Sequence, residues 1–382
     1  MPMVLPRGHV PALTGLRGVA ALWVALYHLW QFHGQPRLAA GAIDFTPVVA
    51  CGYFGVDLFF VLSGYLLGRP FVAASLTDAP RPSLRRFWAH RARRVLPAYL
   101  GQLVLLTTAG WYLGGRPHLG TAELVSHALL VFNLYDNGSR LNPVYWSLPV
   151  EWNFYMVLPL LAAAFPRSRR ATPWILPVLA LFCIAFRLSC WLALDRWGAD
   201  GVAYYRLVLQ LPARIDEFAF GVAAAWYVAA AGTGRDRLRQ GLGLSALAAM
   251  CWQVAPKGDF LVTAEMPWLL FHFTLLGAVL ALILSSIQRL PRGMLARLLS
   301  MPPMVWLGTV SYSLYLWHFP LIEAIRGLAR GHHLPLPLSA AAGLLASLAA
   351  ASVSYRLLER PFLPASDPAR AHRPTHGRIG RS

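Results

Sequence analysis

Apolar runs of about 18 to 26 residues alternate with short polar joints along almost the whole chain. They recur at about 12–32, 52–72, 95–113, 145–165, 172–194, 205–230, 239–256, 266–287, 304–325 and 335–357. A bilayer core about 30 Å thick is crossed by about 20 residues of helix at 1.5 Å each. The pattern therefore predicts an all-α, polytopic membrane helix bundle with about ten transmembrane helices. No stretch outside these runs is long enough for a second domain. One integral membrane domain is expected over 1–363, followed by a basic cytoplasmic tail over 364–382 whose composition predicts disorder. The N-terminus lacks the small-residue cleavage pattern of a secretory signal, so the first span is expected to be retained.

Composition agrees with the pattern. The 382 residues are 57% hydrophobic and only 13% charged, which excludes an ordinary soluble globule. The net charge of +18 raises the question of nucleic acid, but its distribution answers otherwise. With both termini placed inside, 23 of the 34 basic residues fall in cytoplasmic segments and seven in the opposite loops. That asymmetry selects an N-in, C-in topology. No aromatic-interleaved basic groove remains for a nucleic acid. Cys51, Cys183, Cys190 and Cys251 show no paired metal spacing, so neither a disulfide nor a metal site is expected.

Two joints are longer than the rest. The segment 73–94 ends in SLRRFWAHRARRV, dense in arginine. It reads either as a headgroup-binding cluster or as a phosphate clamp at a cavity mouth. The segment 114–144 contains TAELVSHALLVFNLYD, which suits an interfacial or re-entrant helix better than a span.

The first span, PALTGLRGVAALWVALYHLWQF, holds two ionisable residues, Arg17 and His28. An eleven-residue step leaves about 20° of rotation, so both project from one helix face about 16 Å apart. An arginine in such a segment is expected to face protein, a partner or a watery cavity, or to snorkel to headgroups. Glu151, in YWSLPVEWNFY, is expected to lie about 9 Å below the outer end of its span, near the depth of His28. A His28–Glu151 pair would fix the imidazole tautomer and raise its basicity for taking a proton from a hydroxyl. The plainer reading of such a pair is a structural hydrogen bond between helices. Tyr145, Trp146 and Trp152 read as an interfacial aromatic belt. Asp57 and Ser63 are candidates to line a cavity, or packing and pairing devices, and His318 is a second candidate imidazole. Arg214, Asp216 and Glu217 are expected to compensate one another locally, with Arg187 able to join them.

Several stretches taken together resemble the acyltransferase-3 family of integral membrane proteins. They are GLRGVAALWVALYH, FGVDLFFVLSGYLL, FWAHRARRVLPAY, YWSLPVEWNFY, RIDEFAFG, YSLYLWHFP and the closing ERPF. The resemblance implies acyl transfer, commonly of acetyl from acetyl-CoA, to a hydroxyl on a sugar or a small or lipid-linked acceptor. It implies that His28 is the essential histidine, that Arg17 is the first-span arginine, and that Glu151 is the glutamate of the W-S-L-x-x-E stretch. Arg91 and Arg94 match the cytoplasmic arginine motif. One departure is Thr14, where family members often carry aspartate, so a charge partner for Arg17 is expected from another helix. No appended hydrolase-like domain is present, so spans and outer loops alone are expected to bind the acceptor.

The resulting expectation is a multi-pass protein of the bacterial cytoplasmic (inner) membrane. His28 and Glu151 are catalytic, Arg17, Arg91 and Arg94 bind the acyl donor, and Asp57, Ser63 and His318 line the cavity. Acyl-CoA is a co-substrate, with no permanently bound cofactor and no metal, and the acceptor is a carbohydrate or glycolipid. Direct transfer with His28 as base and an acyl-enzyme on Ser63 or His28 both stay open. The rival classes are a secondary transporter and a structural component of polysaccharide export.

Overall fold

A computed structural model describes residues 10–77, 80–113, 119–134, 140–164, 172–196, 206–230, 234–254 and 266–363. The predicted tail, 364–382, lies outside the described residues. The elements in order are α1 (Pro11–Phe32), a two-residue antiparallel ladder of β1 (Ala39–Ala40) and β2 (Ile43–Asp44), α2 (Thr46–Ala50), α3 (Phe54–Leu76) and α4 (Leu84–Leu113). Then come α5 (Thr121–Ala128), α6 (Ser147–Ala164), α7 (Thr172–Arg196), α8 (Leu211–Ala230), α9 (Asp236–Val254) and α10 (Met266–Arg289). The short α11 (Met294–Leu299) and α12 (Pro302–Thr309) lead into α13 (Ser311–Gly331) and α14 (Leu336–Ser354), which ends in a π-turn over Tyr355–Glu359.

Helix dominates because a chain this apolar must satisfy its backbone N–H and C=O groups within each segment. Five of the helices are long and apolar enough to cross a membrane: Pro11–Phe32, Phe54–Leu76, Leu176–Ala193, Leu270–Arg289 and Leu336–Phe362. Two predicted boundaries shift. The arginine-rich end of the 73–94 joint is helical from Leu84, so α4 is a 30-residue rod about 45 Å long. The ninth run is broken at Val310, where α12 stops and α13 restarts. Among its described residues, the 114–144 joint forms the eight-residue α5 and two 3-10 turns, Phe132–Leu134 and Pro143–Trp146.

Several crossings bring backbones into direct contact. At the α3–α8 crossing, a Cβ added to Gly64 would lie 2.0 Å from the Phe218 carbonyl oxygen, and one on Gly221 would lie 2.1 Å from that of Val61. At the α1–α12 crossing, a Cβ on Gly308 would lie 1.7 Å from the Thr14 carbonyl oxygen. Small residues at such points let helices associate by packing where lipid supplies no hydrophobic drive. α1 thus runs through the middle of the bundle, against α3 on one side and α11 to α13 on another.

The α3–α8 contact leads to a stability prediction. Gly64→Leu, which must push whole backbones apart, is expected to destabilise the protein by at least about 1–3 kcal/mol. Gly241→Ala, in α9 with open space around it, is expected to be neutral or stabilising by up to about 1 kcal/mol. Thermal unfolding in detergent, followed by loss of the monodisperse peak, compares the two.

Candidate active site

A cavity of about 100 Å³, partly open, lies between α1, α3, α4, α6 and α13. Its polar lining is Arg17, Ser63, Arg91, Arg94, Ser147, Glu151, Tyr155, Tyr312 and Tyr315. Arg91 and Arg94 are three residues apart on α4, so they share one face. Trp88 Nε1 donates to the Tyr155 carbonyl at 3.0 Å, and the Tyr312 hydroxyl donates to that of Val95 at 3.0 Å, which fix α4 against α6 and α13. Across the cavity, the Ser63 hydroxyl donates to Glu151 Oε1 at 2.5 Å.

The guanidinium groups here are incompletely matched. Arg94 Nη1 is 3.8 Å from Glu359 Oε2, while its Nη2 has no hydrogen-bond partner among the described residues. Glu359 is itself held by the Ser313 backbone N–H at 3.1 Å and the Ser313 hydroxyl at 2.5 Å. Arg17 makes no hydrogen bond or ion pair among the described residues. Three cations therefore line the cavity with one lining carboxylate, Glu151.

His28 and His318 form a second polar site. His318 Nδ1 is 3.0 Å from the Leu314 carbonyl oxygen, His28 Nδ1 is 3.0 Å from that of Val24, and His318 Nε2 is 3.1 Å from His28 Nδ1. Carbonyl oxygens only accept, so the network assigns a proton to both Nδ1 atoms when the rings are neutral. His28 Nδ1–H is then shared between Val24 and the lone pair of His318 Nε2. The lone pair of His28 is left on Nε2, free to accept a proton. Tyr315 joins the two sites. Its ring lines the cavity and lies 5.8 Å from that of His318, and its hydroxyl donates to the Val144 carbonyl at 2.7 Å while accepting from Ser147 at 2.7 Å.

A family profile described as an acyltransferase domain matches residues 10–356. The chain belongs to that acyltransferase-3 family. One relative is YrhL of Bacillus subtilis (strain 168), provisionally named a peptidoglycan O-acetyltransferase, which is 29% identical over 333 residues, covering 82% of this chain and 49% of YrhL. Another is the O-acetyltransferase OatA of Staphylococcus aureus (strain NCTC 8325 / PS 47), 25% identical over 379 residues, covering 94% of this chain and 58% of OatA. The chain thus spans about half the length of the curated relatives it matches. No solved structure matches it.

Of the residues singled out from the sequence, Arg17, Ser63, Arg91, Arg94 and Glu151 converge on the cavity. Four sequence expectations are corrected. Glu151 does not bond His28: its carboxylate takes Ser63, and His28 takes His318. A count from a surface end does not apply to α6, because its lead-in is buried, with Leu141, Asn142 and Tyr145 each 0% exposed. For the same reason Tyr145 is no interfacial anchor; its hydroxyl donates to Gln102 Oε1 at 2.8 Å inside the bundle. Asp57 does not line the cavity but pairs with Arg214 of α8, and His318 serves His28 rather than the cavity wall.

Sequence reasoning assigned no role to Glu359, the acid of ERPF that holds Arg94, or to the tyrosine wall. For Glu359 the available signal was a lone acid between Arg356 and Arg360 at the end of the last apolar run. Among the described residues no group of three or more His, Cys, Asp or Glu is placed to hold a metal ion.

Asp57 and Ser63 lie on one helix yet differ in what they support. Asp57→Ala, which strips one carboxylate from buried Arg214, is expected to cost about 3 kcal/mol of stability. Ser63→Ala is expected to cost about 1 kcal/mol or less. Thermal unfolding of both variants against the parent checks the contrast.

Proposed function

We propose that this chain is a membrane-embedded O-acyltransferase. It moves an acyl group, acetyl in the first instance, from acyl-CoA to a hydroxyl of a sugar or lipid-linked glycan. The observation that carries this reading is the convergence of Arg17, Arg91 and Arg94 on one cavity within an acyltransferase-3 chain. CoA is polyanionic at one end, and the planar fork of arginine suits phosphate oxygens. The spare Nη2 of Arg94 and the unpaired Arg17 supply donors for it. In this reading all ten long helices cross the bacterial inner membrane with both termini inside, so the arginine-bearing start of α4 meets cytosolic CoA.

From Arg91 and Arg94 the pantetheine arm, about 15–20 Å when extended, runs past Arg17 towards the far end of α1. The acceptor comes from the opposite side. His28 Nε2 takes the proton of its hydroxyl as oxygen attacks the acyl carbonyl, and His318 keeps the ring in the tautomer that leaves Nε2 free. The name of the Bacillus relative makes a peptidoglycan sugar the first acceptor to test.

The test is transfer of label from radioactive acetyl-CoA to peptidoglycan precursors or lipid-linked glycans in proteoliposomes holding the full chain. Label in a base-labile ester is expected, and no acyl-CoA-dependent label in any acceptor overturns the reading. His28→Ala is expected to lower kcat by about 10²- to 10⁴-fold. Arg94→Ala is expected to raise the KM for acetyl-CoA about tenfold or more while leaving that for the acceptor unchanged.

A further inference from the structure

Ser63 departs from the habit of most helical hydroxyls among the described residues. Thr107, Thr309, Ser347 and Ser352 each donate to the carbonyl four residues earlier in their own helix. That is the usual satisfaction of a hydroxyl in an apolar helix. Ser63 instead reaches from α3 to the carboxylate of Glu151 on α6, at 2.5 Å, and does so on the cavity wall. The Ser313–Glu359 and Thr274–Asp216 bonds are equally short, but those carboxylates hold Arg94 and Arg187 and none of the four residues lines the cavity. A hydroxyl donating to a carboxylate, open to a cavity that the Arg17 guanidinium also lines, has the parts of an activated nucleophile: oxygen, base and a cation for the developing oxyanion. The neighbouring Gly64, locked on the Phe218 carbonyl, holds this stretch of α3 rigidly.

The two-site geometry points the same way. His28 and His318 do not line the cavity, and Tyr315 stands where the two sites meet. An acyl group kept on the protein lets CoA leave before the acceptor arrives from the His28 end, so the two substrates need not share the space.

We propose that Ser63 carries the acyl group as a covalent ester, with Glu151 as its base. This rests on the acyl-CoA reading above. In the first half-reaction Ser63 Oγ forms a bond to the thioester carbonyl carbon while Glu151 takes the hydroxyl proton. The C–S bond breaks, the proton passes from Glu151 to sulfur, and CoA leaves as the thiol. In the second, the acceptor oxygen bonds to the same carbon and the Ser63 ester breaks. The acceptor hydroxyl loses one proton and Ser63 regains one.

The experiment uses the full chain in proteoliposomes without acceptor, supplied with acetyl-CoA and radioactive CoA. Exchange of label into acetyl-CoA is expected, together with a protein mass gain of one acetyl group that peptide mapping assigns to Ser63. Ser63→Ala is expected to abolish both while eluting as a folded, monodisperse protein. Glu151→Gln is expected to slow exchange about a hundredfold or more. Ser63→Cys is expected to restore a label that hydroxylamine removes under neutral conditions, as a thioester requires. Acceptor acetylation by the parent chain without exchange or acyl-protein, or by Ser63→Ala at the parental rate, overturns the Ser63 proposal and leaves the acyltransferase reading standing. A parent chain that acetylates no acceptor and shows no exchange overturns both.

Discussion

Arg214 is buried between Asp57 of α3 and Glu217 of its own helix, with its guanidinium 3.7 Å from the centre of the Phe273 ring on α10. In an apolar bundle a desolvated cation persists only if protein replaces its water, and removing one partner strands the charge. A second clamp lies beside it. Arg187 of α7 meets Asp216 at 2.9 Å and fills its other donors with the Ala213 carbonyl at 2.9 Å, the Leu270 carbonyl at 2.9 Å and the Thr274 hydroxyl at 2.8 Å. Together the two arginines tie α3, α7, α8 and α10 into one block. Gly64 and Gly221 then allow only one register at the α3–α8 crossing.

The block explains how the cavity is kept open. Ser63 lies six residues beyond Asp57, about 120° round the same helix. One face of α3 is anchored by ion pairing and another is presented to α6 and α1. Arg17, Arg91 and Arg94 stand on that open side and line the cavity. The chain thus uses the same residue type in two ways. Arg187 and Arg214, each paired with carboxylates inside the bundle, set the architecture, and Arg17, Arg91 and Arg94 face the cavity.

The histidines follow a related division of labour. Each Nδ1 lies against a carbonyl of the preceding turn, which local helix geometry alone dictates. What local geometry does not supply is the contact between the rings, made across α1 and α13 with 290 residues between them. That contact gives His28 a neighbour that accepts from Nδ1, so the nitrogen left with a lone pair is Nε2.

Periodicity, length and charge distribution were enough to read an all-helical membrane bundle and to place most of its helices, because the cost of unpaired backbone in lipid leaves few other structures. Motif resemblance was enough to mark Arg17, Arg91, Arg94 and Glu151, polarity within an apolar span marked Ser63, and four separate stretches of chain do bring them to one cavity. Pairing was not legible in the same way. Glu151 was matched to His28 by counting residues from a presumed membrane surface, whereas the buried Pro143–Trp146 turn carries the start of α6 inside the protein. Asp57 was left between cavity lining and pairing, and its partner Arg214 is 157 residues away. Sequence alone determined which residues are too polar for their surroundings and must find partners. Only the tertiary structure decided which partners they find, because helix depth, rotation and crossing are set by contacts between segments that the order of residues does not bring together.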